Sequence, residues 1–385
     1  MTSRWTAAFR SAPVSPHEPM PLIHPPRGFH DQTLRQVVRL RGAGTRLRVR
    51  LGNLYGKDPL TIARTRVAAH RTAAAIVPHT DTAVTFGGAH QVTIPPGQEA
   101  ISDPVDLTTT PGTDLVLSSY HAAATGPSDY HPFALQTGYL RPGEAVSHPD
   151  LPETEQVESR FFLTGIDVLG PADRPVVAAF GDSITDGVGT TPGTHRRYPD
   201  LLARRLHPAG AAVLNLGIAG NRLLSDVFGE RGTTRFDRDV LTAPGVTHVV
   251  VQLGLNDIGL PGMLDQPPFP AADIVAGLSA LATRARRHGI RPIIATVTPF
   301  AGAAAAGPGF DTPQAQSTRR QLNQWIRTND AYDAVADLDQ TLRDPTAPAA
   351  LHPDYDSGDH IHPNDAGAKA IADTVADAIT HALPT

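Results

Sequence analysis

The chain has 385 residues, a formal net charge of −5 and no cysteine. This length allows two domains with full hydrophobic cores. The charge balance gives no broad basic surface for nucleic acid, and the lack of cysteine excludes disulfides, cysteine-bound metals and thiol catalysis. No apolar run approaches the roughly 18 residues of a membrane span. Residues 1–26 lack the apolar core of a secretory signal peptide. We therefore expect a cytoplasmic protein, with secretion after removal of a leader as the alternative.

Residues 1–172 are predicted to form a β-rich domain that begins with an extended, proline-rich arm over about residues 1–30. In residues 45–51, leucine and valine alternate with Arg46, Arg48 and Arg50, which predicts a strand with one buried face and one solvated arginine face. Similar short runs follow, separated by turns rich in glycine and proline. This spacing is typical of a β-sandwich or jelly roll.

Residues 173–385 show a different pattern, in which apolar runs alternate with helical periodicity. The runs are near-continuous, as in strands buried on both faces, and they cover residues 176–180, 212–218, 247–254 and 292–299. A last helix is predicted over residues 366–383. The alternation predicts an α/β domain with a doubly wound parallel sheet, in which ligands bind beyond the carboxyl ends of the strands.

Small and polar residues follow three of these strands and precede the last helix. Gly181-Asp182-Ser183 ends the first run, and the segments 217–221, 254–257 and 359–365 hold the other groups. A serine hydroxyl needs a base to become a nucleophile, and His362 is the candidate. Asp359 precedes His362 by three residues and could orient its imidazole. Pro363 restricts the backbone of His362, and Asn364 or Asp365 is predicted to cap the last helix.

Acyl transfer also needs hydrogen-bond donors for the oxyanion. Gly220 offers a backbone N–H that no Cβ shields, and Asn256 offers a side-chain amide. The backbone N–H of Ser183 completes the predicted set.

The blocks GDSITDG, GIAGN, GLND and DHIHPN resemble, in their order and spacing, those of the SGNH (GDSL) hydrolase superfamily. The resemblance covers residues 174–385. It implies a flavodoxin-like sheet, with Ser183 as nucleophile, His362 as base and Asp359 as its partner. It further implies an oxyanion hole of Gly220, Asn256 and the Ser183 N–H, with no metal and no cofactor. The first half is similar to the β-rich domain of two-domain bacterial esterases, which include carbohydrate esterases.

Several polar residues near these blocks have simpler interpretations. Asp182 and Asp257 are predicted to support turns, and His360 and His195 to be exposed loop residues. A metal cluster of Asp359, His360, His362 and Asp365 is not favoured, because the remaining ligands are not apparent.

Two segments could border a substrate. Arg222, Arg231 and Arg235 alternate with acidic residues, which favours mutual pairing at the surface over binding of an anion. The loop 260–270 follows the third strand of the sheet and could supply an apolar wall from Met263, Leu264 and Phe269.

The sequence therefore predicts a serine esterase that acts through an acyl-enzyme. The expected substrate is a small-molecule or carbohydrate ester with a short acyl group, such as an acetyl ester of a sugar or small alcohol. Two alternatives stay open: an acyltransferase with the same triad, and a carbohydrate-binding protein with a weak hydrolase. No nucleic-acid partner is expected, and the oligomeric state is left open.

Overall fold

The computed structural model describes residues 2–20 and 24–382. The chain divides into two compact units, Met1–Arg174 and Pro175–Thr385. No helix within the described residues is both long enough and apolar enough to cross a membrane.

The first unit consists of short strands, and two antiparallel sheets account for most of them. The strands are β1 (Ser3–Arg10), β2 (Gln32–Arg39), β3 (Arg46–Asn53), β4 (Leu60–Ile62), β5 (Arg64–Thr72), β6 (Ala75–Ile76), β7 (Thr82–Val84), β8 (Val92–Ile94), β9 (Gln98–Ile101), β10 (Asp114–His121), β11 (Tyr130–His131), β12 (Gly138–Pro142), β13 (Glu155–Val157), β14 (Arg160–Phe161) and β15 (Leu163–Pro171), with one 3₁₀ turn at Pro78–Thr80. One sheet has the order β1-β15-β3-β9, and the other has the order β13-β12-β2-β10-β5-β6, with β7 also paired to β5. The pairs β4-β8 and β11-β14 form two small ribbons. A β-rich first domain is therefore observed, and its jelly-roll connectivity stays a prediction.

The predicted arm contains a strand that is paired within the first unit. Ser3–Arg10 is β1, which pairs antiparallel with β15 from Ser3 opposite Pro171 to Arg10 opposite Gly165. The segment contains no proline, so every backbone N–H can join the ladder, and its central residues Thr6, Ala7 and Ala8 are buried. Residues 21–23 of the predicted arm lie outside the described part of the chain.

The alternation in residues 45–51 is confirmed in β3, where Leu47, Val49 and Leu51 are buried. The arginine face is less solvated than predicted. Arg50 bonds to the carboxylate of Asp167, whose side chain is 2% exposed. The Arg48 guanidinium lies 4.2 Å from the centre of the Trp5 ring. These arginines therefore cover apolar and acidic groups of their own sheet.

The second unit is an α/β domain. Its strands are β16 (Val176–Gly181), β17 (Ala212–Gly217), β18 (Val246–Gln252), β19 (Arg291–Ala295) and β20 (Ala334–Ala336). Its α-helices are α1 (Ser183–Asp186), α2 (Tyr198–Leu206), α3 (Gly232–Phe236), α4 (Leu255–Gly259), α5 (Ala271–Arg287), α6 (Pro313–Thr328), α7 (Leu338–Leu342) and α8 (Asp365–Ala382). A π-helix covers Asp237–Leu241, and 3₁₀ turns cover His207–Ala209, Leu260–Gly262 and Ala303–Ala306.

The strands form one sheet in the order β17-β16-β18-β19-β20, and all neighbouring pairs are parallel. Numbered within the unit, this order is 2-1-3-4-5, the order of flavodoxin-like sheets. All six residues of β16 are buried, as its continuous apolar sequence predicts. The carboxyl ends of β16, β17, β18 and β19 therefore meet at one edge. The predicted last helix is observed as α8, and residue 383 of the prediction lies outside the described residues.

Candidate active site

Ser183 is mounted at the carboxyl end of β16, as the first residue of the short helix α1. The preceding residue, Asp182, caps this helix by accepting the N–H of Ile184 at 3.1 Å. Gly217 lets α1 approach the end of β17, because a Cβ at that position would lie 2.1 Å from the backbone nitrogen of Asp186. The hydroxyl of Ser183 is therefore held at the edge where the strands end.

His362 lies beside Ser183, although 179 positions separate them in the chain. Its Nε2 is 2.8 Å from the Ser183 Oγ, and its Nδ1 is 2.6 Å from Oδ2 of Asp359. A carboxylate only accepts, so Nδ1 donates and Nε2 is left to accept from the serine hydroxyl. Three of the sequence-predicted site residues thus form one hydrogen-bonded line.

Hydrogen bonds within its own loop keep the Asp359 side chain in place and ionised. Its Oδ1 accepts the backbone N–H groups of Ile361 at 3.0 Å and His362 at 2.8 Å. Burial raises the pKa of this carboxyl, but the bonds from the His362 ring and from the two N–H groups hold it well below its usual range. Asp359 therefore remains charged and keeps the imidazole in one orientation.

The loop that carries His362 is braced at its end. Asn364 Oδ1 accepts the N–H groups of Ala366 and Gly367, which confirms Asn364 as the cap of α8. Asp365 instead accepts the N–H of Thr191 at 2.9 Å and its hydroxyl at 2.8 Å. This pair ties the loop after α1 to the start of α8, so the serine and histidine segments are joined by a second connection.

The predicted oxyanion donors lie in the segments after three strands: Ser183 after β16, Gly220 after β17 and Asn256 after β18. Gly220 has φ +75°, a conformation that favours glycine, and Asn256 lies in α4. Within residues 2–20 and 24–382, no acceptor takes the backbone N–H of Gly220 or Ser183. One hydrogen of the Asn256 amide is donated to the Asn221 carbonyl at 3.0 Å, which leaves the other for a ligand.

Comparison with known proteins identifies the second unit. Residues 179–370 match the model of the GDSL-like lipase/acylhydrolase family. The second unit is therefore a domain of this family. It is thus a serine ester hydrolase of the GDSL type, as its sequence predicts. A search of curated protein sequences gives no match.

Several solved structures are similar to this GDSL hydrolase at low identity. A carbohydrate esterase family 2 enzyme with a carbohydrate-binding domain, from Corynascus thermopiles (Myceliophthora fergusii), is 14% identical with a TM-score of 0.42, and the match covers 99% of each chain. A GDSL-like lipase from Bacteroides thetaiotaomicron is 22% identical with a TM-score of 0.41, over 56% of this chain and 92% of that one. An α/β hydrolase from the metagenome of Lake Arreo is 21% identical with a TM-score of 0.41, over 56% and 100%.

Two buried carboxylates of the GDSL hydrolase shape the loop around Gly220. Asp186 accepts the N–H of Ala219 at 3.1 Å, and Asp257 accepts those of Leu223 and Leu224 at 2.8 and 2.9 Å. Burial raises the pKa of Asp257 to about 6. Asp257 thus supports a turn, as predicted, and the part played by Asp186 was missed.

Arg235 was predicted at the surface, and this prediction is wrong. Its side chain is fully buried and donates to the carbonyl oxygens of Gly181 and Leu216, to Oδ1 of Asn221 and to Asp239. It therefore joins the ends of β16 and β17 to the loop beyond Gly220. The spacing of Arg235 and Asp239, four residues apart, was the available signal for a buried pair on one helical face.

The prediction is also wrong for Arg222, which is fully buried and donates to Gln266 Oε1 at 2.8 Å and to the Asp226 carbonyl. Arg231 is exposed; its guanidinium donates to the Thr234 hydroxyl, and its backbone N–H donates to Oδ1 of Asp226. The alternating charges in the sequence do not reveal which arginine points inward, because burial here depends on the packing of loops from distant segments.

His360 and His195 bond to other partners than Ser183 and Asp359. His360 is 56% exposed and bonds to Asp356, and the carbonyl of His195 accepts from Arg204. Among the residues described, no three or more His, Cys, Asp or Glu side chains are placed to hold a metal. Asp359 and His362 bond to each other, whereas His360 and Asp365 are engaged by separate partners.

The loop 260–270 contributes to a cleft of about 360 Å³, which is also lined by Ile258, Pro308 and Ala315. Of the three predicted wall residues, Phe269 lines the cleft. Met263 is 37% exposed.

A buried polar network lies beneath the serine of the GDSL hydrolase. Asp182 Oδ2 lies 3.5 Å from Nε2 of Gln252, whose Oε1 accepts the Thr185 hydroxyl at 2.9 Å. Burial raises the pKa of Asp182 to about 7, against the opposing effects of the Ile184 N–H and His362. Gln252 was missed, although one polar residue at the end of an apolar strand was a usable signal.

We expect Asp182→Asn to gain stability relative to the wild type as the pH rises. Burial raises the pKa of the carboxyl from 3.8 to about 7 in the folded state. Over this interval the carboxyl ionises in the unfolded chain while it stays protonated in the native one, so the wild type loses folding free energy as the pH rises. Asparagine does not titrate and can still cap α1. The difference in unfolding free energy should grow by about 2–4 kcal/mol between about pH 4 and pH 8.

Urea unfolding of both proteins across this pH range measures the difference. Asp237→Asn, which removes an exposed carboxyl, controls for the loss of charge alone. If the difference in unfolding free energy stays constant with pH, burial does not keep the Asp182 carboxyl protonated.

Proposed function

We propose that the chain hydrolyses short-chain carboxylic esters through an acyl-enzyme on Ser183. The observation that carries this proposal is the line from the Ser183 hydroxyl through His362 to Asp359, with contacts of 2.8 and 2.6 Å. Such a line removes the serine proton at the moment of attack and stabilises the imidazolium that results.

The reaction proceeds in two balanced steps. The Ser183 Oγ forms a bond to the ester carbonyl carbon while its proton passes to Nε2 of His362. The tetrahedral intermediate collapses, the bond to the alcohol oxygen breaks, and His362 returns the proton to the departing alcohol. Water then attacks the acyl-enzyme with His362 again as base, which releases the acid and restores the serine.

Three donors are proposed to stabilise the negative oxygen in both intermediates. They are the backbone N–H groups of Ser183 and Gly220 and the second hydrogen of the Asn256 amide. All three are held before the substrate binds: Ser183 by α1, Gly220 by the bonds to Asp186 and Asp257 around it, and Asn256 by its bond to Asn221. Donors fixed in advance need no reorganisation when charge develops.

The burial of the site supports a small acyl group. Ser183 and Asn256 expose only 5% and 4% of their surfaces, so the acyl group would bind beside groups that are already largely covered by the protein. A long acyl chain would have to displace the buried residues around it, which costs free energy in a packed interior. An acetyl group is therefore the proposed acyl unit.

Replacing Ser183 with alanine should reduce ester hydrolysis to the background rate, because alanine lacks the hydroxyl that would attack the ester. The fold should not change, because only this one oxygen is removed. The measurement is hydrolysis of p-nitrophenyl acetate, with circular dichroism to verify folding. Ser279→Ala is the matched control, since the Ser279 hydroxyl donates to the Val275 carbonyl of its own helix α5, and this variant should keep wild-type activity. Undiminished hydrolysis by Ser183→Ala would end the assignment of the nucleophile.

The enzyme should prefer esters with short acyl chains. Across p-nitrophenyl esters from acetate to dodecanoate, we expect kcat/KM to be highest for the shortest chains and to fall about tenfold or more by octanoate, on the order of 1.4 kcal/mol of lost transition-state binding. A profile that rises with chain length would reject the acetyl proposal while leaving ester hydrolysis intact.

Asn256→Ala should lower kcat about 10²-fold, because it removes one oxyanion donor. Asn329→Ala, at the end of α6, is the matched control and should leave kcat near its wild-type value. Steady-state kinetics separate the two parameters. An effect confined to KM would place Asn256 outside the oxyanion hole.

A further inference from the structure

A second imidazole–carboxylate pair lies two residues from the proposed base. Nδ1 of His360 is 2.7 Å from Oδ2 of Asp356, and the backbone N–H of His360 donates to Oδ1 of the same carboxylate at 3.0 Å. The side chain is 56% exposed. Its Nε2 has no hydrogen-bond partner among the described residues. The protein thus holds one ring nitrogen, Nδ1, and the other, Nε2, is available to a ligand.

The backbone at His360 adopts a left-handed conformation. His360 has φ +65°, which costs about 1–2 kcal/mol for a residue with a Cβ, although histidine adopts this conformation more often than most. Both bonds to Asp356 hold it there. Backbone strain of this kind concentrates at functional sites.

The ring also lies at the catalytic edge of the sheet. It packs against Gly302, where a Cβ would lie 3.3 Å from the Cγ of His360. Gly302 is in the loop after β19, which neighbours β18 in the sheet. β18 ends just before Asn256, so the loop that contacts His360 begins at the same edge as the proposed oxyanion donors.

The chemistry of the leaving group determines which part of the ester reaches this ring. His362 must hand its proton to the alcohol oxygen, so that oxygen lies within about 3 Å of its Nε2. The carbonyl enters among the buried donors, whereas the side chain of His362 is 17% exposed. The alcohol therefore departs outward along the histidine loop, where residue 360 is within about 8 Å of residue 362 between Cα atoms.

We propose that His360, held by Asp356, binds a hydroxyl of the alcohol part of the substrate and selects esters of polyols or carbohydrates. This inference rests on the proposed ester hydrolysis. Because Nδ1 donates to the carboxylate, Nε2 accepts a hydrogen bond from the hydroxyl. His360 is thus a specificity-determining residue, separate from the triad that performs the reaction.

The test compares two acetate esters whose alcohols have three carbons each: glycerol monoacetate, which carries free hydroxyls, and propyl acetate, which carries none. Both give the same acyl-enzyme, so their ratio of kcat/KM reports on the alcohol side alone. His360→Gly removes the ring and suits the positive φ. We expect it to lower the preference for glycerol monoacetate about 3- to 10-fold, the effect of one lost hydrogen bond.

His195→Gly is the matched control, since His195 is also a loop histidine with positive φ, at +54°. The preference of this variant for glycerol monoacetate over propyl acetate should match that of the wild type. His360→Asn, which tolerates the same backbone conformation, provides a second variant and should lower the preference in the same direction.

An unchanged preference in both His360 variants, or an equal loss in His195→Gly, would overturn the inference. A wild type that cleaves propyl acetate but not glycerol monoacetate would overturn it as well. In both cases the proposed ester hydrolysis would stand. If the wild type cleaves neither ester nor p-nitrophenyl acetate, the proposed function fails together with the inference.

Discussion

The contact between the imidazole of His362 and the hydroxyl of Ser183 is the interaction on which the second unit depends. It joins segments 179 positions apart, at a distance of 2.8 Å. A parallel sheet brings the carboxyl ends of its strands to one edge but does not set such a distance. The positions of the two side chains are fixed further by hydrogen bonds to backbone N–H groups. Asp359 binds the N–H of His362, and Asp365 binds Thr191, so each segment is held by groups that do not react.

Glycine at position 189 shows how little room this contact leaves. A Cβ there would lie 2.7 Å from the Pro363 carbonyl oxygen and 3.1 Å from the Cβ of His362. The loop after α1 therefore packs directly on the backbone that carries His362, the proposed base. A side chain at this position would push the imidazole outward, and small displacements of a catalytic group cost large factors in rate.

Buried charges hold the loop around Gly220, where a chain of this composition could have used apolar packing. Arg235, Asp186 and Asp257 are all buried and are directed mainly at backbone groups. Taking a charge from water is costly unless its hydrogen-bonding capacity is filled. Arg235 meets this condition with two carbonyls, an amide oxygen and a carboxylate. The result is a loop whose N–H groups are oriented by directional bonds.

The sequence predicts those features that local patterns encode. Apolar runs that end in small residues mark β16 and Ser183, and the short Asp359-to-His362 spacing marks a pair on one turn. It does not predict features set by distant segments. Arg235 reads as a surface residue because its acceptors come from two strands and a loop. Ser3–Arg10 reads as part of an arm because its partner strand β15 comes more than 150 residues later in the chain.

That last pairing has a consequence for how the chain is made. β1 is synthesised before its partner β15, because its ladder joins Ser3 to Pro171 and the rest of the first unit lies between them in the chain. At typical translation rates the delay is roughly 10 to 30 seconds. Throughout that time β1 has no neighbour in its sheet, and an unpaired strand is a template for association with other chains. The order of synthesis, rather than final stability, thus makes the first unit vulnerable to aggregation on the ribosome.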